Sequence, residues 1–393
     1  MWQIFDEARL GHIHVNARPG DAAETVMTRD DFAQAAAEIS SWTGYCPTPL
    51  HHLPELAAAL ELGEVLFKDE GPRFGLGSFK ALGGAYAGLL VLQRELSLRL
   101  DRPVSTHEIR DGSLSAEIAQ ITLTSATDGN HGRSLAWGAR MVGAPCRIYI
   151  HKEVSEGRAQ AMRDLGAEVV RVLADYDESV RVTRKESEEN GWFVVSDTSW
   201  EGYTQTPRDV MAGYGVMLDE IAATLHDRPT HLFVQAGVGG LAAAITARLV
   251  QKMGRGTRYV VVEPELAACM FASASSGIAT AVPVEEETLM AGLSCGEPSP
   301  VAWEVLREEV EDFVTVPESL VGPAMRLAAR PLGSDPAIAA GESAVCGLAA
   351  LIAAARQPTL RKALGLNERS RVLLIGSEGV TDADIYAQIV RTP

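Results

Sequence analysis

From about residue 64 onward, short runs of aliphatic and β-branched residues alternate with longer Ala/Leu-rich stretches. The runs are Val65-Leu66-Phe67, Ile121-Thr122-Leu123, Arg147-Ile148-Tyr149-Ile150, Glu168-Val169-Val170-Arg171-Val172, Trp192-Phe193-Val194-Val195, His231-Leu232-Phe233-Val234, Tyr259-Val260-Val261-Val262 and Val372-Leu373-Leu374-Ile375. Most are followed by glycine or a polar turn and then by ten or more residues of helical composition. Near-continuous apolar strands separated by helices are the pattern of a parallel sheet whose two faces are covered by its own crossover helices. The pattern predicts an α/β fold. Residues 121–195 read strand–helix–strand–helix–strand–helix–strand, and a second α/β block starts near 203. No low-complexity linker separates them, so the expectation is two closely packed lobes, each a mostly parallel sheet flanked by helices. The larger lobe is expected to comprise 1–84 and 203–393, the smaller 85–202, with the stretch 97–118 as an excursion. No period of 20–50 residues recurs, which excludes a solenoid reading.

The 393-residue length fits two or three domains at ~100–200 residues each. With 46% apolar and 22% charged residues the chain can bury a sizeable core. Its 35 Lys and Arg against 52 Asp and Glu leave a formal charge of −17. A phosphate backbone or an anionic lipid surface would be repelled, so neither nucleic acid nor membrane is an expected partner. The opening residues 1–7 carry no basic region followed by an apolar core, so no secretory signal is expected. No apolar run approaches the ~20 residues of a membrane span. Cys46, Cys146, Cys269, Cys295 and Cys346 are too scattered for a disulfide framework. Cys269 and Cys295 are therefore read as separate thiols in a cytoplasmic, soluble, enzyme-sized protein.

Three segments carry candidate chemistry. In Gly75-Leu76-Gly77-Ser78-Phe79-Lys80, a helix is expected to begin near Ser78 and to hold Lys80 in its first turn. A cation there meets the partly positive helix end, which favours the neutral amine that Schiff-base chemistry needs. The alternative is a solvated surface lysine. In Ser125-Ala126-Thr127-Asp128-Gly129-Asn130-His131-Gly132, donors crowd a strand-to-helix turn of the kind that binds carboxylates or phosphates. The alternative is a turn in which Asp128 or Asn130 only caps the helix, with His131 bracing the loop. In Gln235-Ala236-Gly237-Val238-Gly239-Gly240, the amides of Gly237, Val238, Gly239 and Gly240 could cradle a phosphate at a helix start. A dinucleotide reading survives beside it, with Glu263 as the acidic residue that would meet a ribose. His12, His14, His51 and His52 lie near the N-terminus without metal-ligand context, and no metal site is expected.

The order and spacing of these segments resemble the fold-type II pyridoxal-phosphate enzymes, the tryptophan-synthase β-like group that includes the serine and threonine dehydratases. Within that group the chain is most similar to the diaminopropionate ammonia-lyases. The similarity runs from Gly44-Tyr45-Cys46-Pro47-Thr48-Pro49-Leu50 almost to the C-terminus. It includes Lys68-Asp69-Glu70, Arg73-Phe74-Gly75-Leu76, Asp197-Thr198-Ser199-Trp200-Glu201-Gly202-Tyr203, Gly292-Leu293-Ser294-Cys295-Gly296-Glu297-Pro298 and Ser377-Glu378-Gly379. The resemblance implies pyridoxal 5'-phosphate as cofactor, held in a cleft between the lobes, and a homodimer acting on a small amino acid. Lys80 would hold the cofactor as a Schiff base, Asn130 would bond its ring hydroxyl, and Gly237, Val238, Gly239 and Gly240 would hold its phosphate. Ser377 would face the pyridine nitrogen, where a neutral hydroxyl leaves that nitrogen unprotonated and suits elimination over transamination. Thr127, Asp128 and Gly129 would bind the substrate carboxylate.

Asp128 stands where the dehydratases usually carry a neutral hydroxyl, and Asp197 supplies a second acid. Two carboxylates suit a substrate with an extra ammonium group, and the resemblance implies that they serve opposite enantiomers. The implied reaction is α,β-elimination on 2,3-diaminopropionate, giving pyruvate and ammonia. Gly77-Ser78, Gly376-Ser377 and Val380 depart from the lyases' usual Asn-Ala, Ser-Thr and Asp. A β-hydroxy amino acid such as serine or threonine therefore stays open as the substrate. A nucleotide-binding protein without this catalysis is the more distant alternative.

Overall fold

The computed structural model describes residues 2–127, 129–174 and 176–391. In chain order its strands are β1 (Gly11–His14), β2 (Leu50–His52), β3 (Glu64–Asp69), β4 (Leu123–Ala126), β5 (Cys146–Ile150), β6 (Glu168–Arg171), β7 (Phe193–Val194), β8 (His231–Gln235), β9 (Arg258–Pro264), β10 (Asp312–Val316) and β11 (Arg371–Gly376). They form two sheets, as the alternation of apolar runs and helical stretches predicts. Among the described residues no single helix is long and apolar enough to cross a membrane.

The first unit comprises Met1–Arg29, Cys46–Ser78 and Met217–Pro393. Its sheet has the order β1-β10-β9-β8-β11-β3-β2, parallel throughout the interior and closed at each edge by an antiparallel strand. Every residue of β8 and of β10 is buried, as expected for strands covered on both faces. Helix Cys346–Arg356, apolar up to its last residue, is buried through Ala355. A helix that is apolar all round is stable only when it is covered all round.

Three strands escape the sequence pattern. Strands β1 and β2 are four and three residues long, rich in histidine and partly exposed. Pairing with a neighbour decides them, not their own periodicity. The histidines anchor this edge: His12 Nε2 and His14 Nδ1 lie 2.8 and 3.1 Å from one oxygen of buried Asp312, whose other oxygen accepts from Arg258 Nε at 2.7 Å. Strand β10 carries Asp312 and Thr315 among its apolar positions, which hides its buried character in the sequence.

The second unit comprises Asp30–Tyr45 and Phe79–Val216, around a wholly parallel sheet of order β6-β5-β4-β7. Its strands are the ones read between 121 and 195. The boundaries differ from those read in the sequence: 30–45, 79–84 and 203–216 group here, not with the first unit. Distant partners draw the N-terminal segment in. Glu38 Oε2 accepts from Thr106 Oγ1 at 2.6 Å, and its Oε1 meets Arg110 Nε at 2.7 Å. Trp42 packs edge-on against Trp137 with centroids 5.7 Å apart, and the Phe32 ring lies against Gly215. Lys80, expected on the larger lobe, groups with the second unit, as do Thr127 and Gly129.

In the first unit, Lys68, Glu70, Arg73 and Glu220 are buried together. Arg73 forks onto Glu70 with two contacts of 2.8 Å and onto Glu220 at 2.7 and 2.8 Å. Lys68 Nζ donates to Glu220 at 2.5 Å and to the Thr48 carbonyl at 2.7 Å. Two cations and two carboxylates balance, and each is hydrogen-bonded, which is the condition for keeping charge away from water. Burial opposes ionisation of Glu220, yet the hydrogen bonds and charge of Arg73, with Lys68, hold its carboxyl below the usual range.

Glu220→Gln should leave two buried cations facing one carboxylate and destabilise the protein by about 3–5 kcal/mol, read as a lower urea midpoint at neutral pH. A carboxyl held low contributes stability above its ordinary value of 4.5 and loses it as pH falls through the lowered value. The gap between wild type and variant should therefore narrow in acid; a gap independent of pH would contradict this account.

Candidate active site

In the second unit, helix Lys80–Arg99 begins at Lys80, with Phe79 as its N-cap and no side chain capping it. Ser78 is not the cap that its residue type predicts. Its backbone is committed to an antiparallel bridge with Glu378. Lys80 nonetheless opens the first turn. Ser134 holds that turn in place: its hydroxyl donates to the Lys80 carbonyl at 2.6 Å and accepts from Ala85 N–H at 3.0 Å. Gly84 makes room for this, since a Cβ there would lie 2.6 Å from Ser134 Oγ.

The Lys80 ammonium forms an ion pair with Asp197 Oδ2, in the turn that follows β7. Both side chains are only partly buried, at 18% and 15% exposure, so they remain within reach of a ligand. This counter-charge offsets the repulsion expected between a lysine and a helix N-terminus. Burial opposes ionisation of Asp197, but the charges of Lys80 and His131 and the hydrogen bond from Lys80 hold its carboxyl far below the usual range. His131 Nε2 lies 2.8 Å from the Val195 carbonyl, which can only accept, so Nε2 carries a proton. Its Nδ1, buried and without a hydrogen-bond partner, lies 3.8 Å from Asp197 Oδ2. His131 thus braces the loop and also faces the acid.

Thr127 Oγ1 accepts from Gly129 N at 3.0 Å and Gly132 N at 3.2 Å, which shapes the turn from β4 into helix Asn130–Val142. Gly129 is buried and Asn130, the first helical residue, half-buried. Asp128 lies outside the described residues. Tyr214 escaped the sequence reading. It is buried edge-on to Phe79 with centroids 4.6 Å apart, and burial pushes its phenol above the usual range beside Lys80. An aromatic on the apolar face of a helix carries no sequence signal that separates site from core.

In the first unit, β8 leads through Gly237, Val238 and Gly239 into helix Gly240–Met253. Gly239 is the N-cap at φ +95°, where a Cβ would come within 2.3 Å of Met270 Cε, so only glycine fits. No side chain caps this helix, and its first amides are available to an anion. The loop is held from behind. Ser299 N donates to the Val238 carbonyl at 2.9 Å, and Cys269 Sγ lies 3.5 Å from the Gly237 carbonyl. Cys269 and Cys295 are not joined in a disulfide.

Glu263 does not have the role that a dinucleotide would require. It is fully buried and accepts from Met270 N at 2.8 Å and Phe271 N at 2.7 Å, so its oxygens serve the start of helix Cys269–Ser276. Burial pushes its carboxyl up to about 8 against those two hydrogen bonds. Ser377 follows the end of β11 and is buried. Gln235, the last residue of β8, donates through Nε2 to Ser377 Oγ at 2.7 Å and to the Ile375 carbonyl at 2.9 Å. Gln235 has no role legible in the sequence beyond one signal, a single amide that ends an apolar strand ahead of a glycine loop. Among the described residues no group of three or more His, Cys, Asp or Glu could hold a metal ion.

The family model for pyridoxal-phosphate dependent enzymes matches residues 42–378. The chain is 37% identical to a diaminopropionate ammonia-lyase of Escherichia coli over 372 residues, covering 91% of this chain and 92% of that one. It is also similar to the crystal structure of the Escherichia coli diaminopropionate ammonia-lyase in complex with D-serine, with a TM-score of 0.88, 34% identity and coverage of 98% and 97%. A probable D-serine dehydratase of Shouchella clausii is more distant, at 24% identity over 70% of this chain and 64% of that one.

The raised Glu263 carboxyl gives a pH prediction. Between its ordinary 4.5 and about 8, the folded chain keeps a proton that the unfolded chain has lost, so stability should fall as pH rises through that window and level off above it. Glu263→Gln, neutral throughout, should flatten this slope in urea melts from about pH 5 to about pH 9. Equal slopes in the two proteins would sink the assignment.

Proposed function

The chain belongs to the pyridoxal-phosphate-dependent enzymes, and we propose that within them it is an ammonia-lyase carrying out α,β-elimination on 2,3-diaminopropionate. Water and the diamino acid would give pyruvate and two molecules of ammonia. The observation that carries this reading is the partly buried ion pair of Lys80 and Asp197 at an uncapped helix start. It brings together an amine suited to a Schiff base and an acid suited to a cationic substrate.

The residues present fit the cofactor. Lys80 would hold its aldehyde carbon, the amides of Gly237, Val238, Gly239 and Gly240 its phosphate, Asn130 its ring hydroxyl and Ser377 its ring nitrogen. The start of helix Gly240–Met253, which no side chain caps, supports the phosphate assignment. When bound, the group supplies a conjugated electron-withdrawing ring that acidifies the substrate Cα–H. Thr127, Asp128 and Gly129 would bind the substrate carboxylate. Asp197, held ionised, can accept the Cα proton or attract the β-ammonium, with Asp128 and the released Lys80 as the other candidate bases.

The D-serine complex of the similar lyase supports a second reading, a dehydratase acting on serine or threonine. The dinucleotide alternative loses its acidic residue, since Glu263 is enclosed. The same reading takes the enzyme as a cytoplasmic homodimer with small amino acids as its partners. Its charge of −17 supports the exclusion of nucleic acid and anionic membranes.

A panel of diaminopropionate, serine and threonine in both configurations tests the reading, with 2-oxo acid and ammonia followed together. Two ammonia per pyruvate from diaminopropionate support the lyase; one ammonia, from hydroxy amino acids alone, would transfer the assignment to the dehydratase. Lys80→Ala should abolish turnover and the borohydride-reducible link to cofactor while leaving the fold intact. Asp128→Asn and Asp197→Asn should each slow one enantiomer by about 10²–10⁴, with cofactor affinity little changed. Equal losses on both enantiomers would instead assign the two acids to the β-ammonium.

A further inference from the structure

We propose that Gln235 is a positioning residue: it sets the direction of the hydrogen bond between Ser377 and the cofactor's ring nitrogen, making Ser377 the donor. This rests on the assignment of Ser377 to that nitrogen made above. Gln235 is fully buried at the end of β8, and its amide nitrogen lies 2.9 Å from the Ile375 carbonyl and 2.7 Å from Ser377 Oγ. A backbone carbonyl can only accept, so the NH₂ end of the amide faces Ile375, and its second hydrogen points at Ser377. The Ser377 oxygen accepts that hydrogen. Its own proton is then left for an acceptor, and an unprotonated pyridine nitrogen is one.

The opposite arrangement is unfavourable. A protonated ring nitrogen would also donate to the Ser377 oxygen, leaving two donors on one hydroxyl and its proton without an acceptor at a buried position. Flipping the amide would set its oxygen against the Ile375 carbonyl. Gln235 Oε1 is itself buried without a hydrogen-bond partner, so the observed orientation is the one that satisfies the two neighbouring acceptors at the expense of its own. The chain thereby enforces the weaker electron sink that suits elimination over transamination.

The test is ¹⁵N NMR of holoenzyme reconstituted with ring-¹⁵N cofactor, in the lysine-linked state. The wild type should show an unprotonated, hydrogen-bonded nitrogen. Gln235→Glu, whose carboxylate accepts from Ser377 instead of donating to it, should raise the proton affinity of the nitrogen about tenfold, a shift of about one pH unit in its titration. Gln235→Met keeps the test open where a buried glutamate does not fold. There the Ser377 hydroxyl is no longer held as a donor, and the nitrogen signal should shift in the same direction as in Gln235→Glu. Adding Gln235→Met to Ser377→Ala should then change nothing further. A protonated nitrogen in the wild type, or Gln235 variants with the wild-type signal while Ser377→Ala shifts it, would overturn the proposal. An unmoved signal in Ser377→Ala would instead overturn the placement of Ser377 on which it rests.

Discussion

Strand β11 has a parallel neighbour on each side, and its hydrogen-bonded register decides what the first unit can present to a ligand. Val372, Leu373 and Leu374 pair with His231, Leu232 and Phe233 of β8, and with Val65, Leu66 and Phe67 of β3. That register brings the end of β8 beside the end of β11, which is why the Gln235 amide reaches both Ile375 and Ser377. A slip of one residue would turn each side chain to the opposite face of the sheet. The buried row from Val372 to Gly376 and the apolar helix Cys346–Arg356 oppose such a slip, because it would disturb the packing on both faces. The arrangement sets the carboxyl ends of parallel strands next to an uncapped helix start, the place where open α/β sheets bind ligands.

The second unit solves a different problem, the placement of a lysine where a helix end repels it. The turn after β7 delivers Asp197 as the counter-charge, and Ser134 ties the first turn of the Lys80 helix to helix Asn130–Val142. The pair is therefore pre-set in position yet only partly withdrawn from water. A fully buried pair would keep its lysine occupied, and a fully exposed one would be screened and mobile.

The contrast with the quartet of Lys68, Glu70, Arg73 and Glu220 separates scaffold from chemistry. Both groups are ion-paired, and Lys68, Glu70 and Arg73, like Asp197, lie in segments that resemble the family's motifs. In the quartet every charge is buried and bonded in several directions, which leaves no group for a substrate. Glu263 belongs with the scaffold as well: both of its oxygens are engaged by amides of the helix that packs behind the glycine loop. Motif residues near a site thus divide by whether their polar atoms are already satisfied.

Periodicity and local chemistry were enough to show the α/β class, the four parallel strands between 121 and 195, the glycine loop between β8 and its helix, and the candidacy of Lys80, while the resemblance to the family pointed to Asn130, Asp197 and Ser377. These features depend on near neighbours in the chain: alternating apolar runs, strand-to-helix turns and the residue types those turns hold. The edge strands β1 and β2, the allegiance of 30–45 to the second unit, the burial of Glu263 and the partnerships of Gln235 and Tyr214 depend on residues tens to hundreds of positions away. Only the packed chain decides these, because an isolated polar residue reads the same in sequence whether its partner is a helix amide, a serine hydroxyl or water.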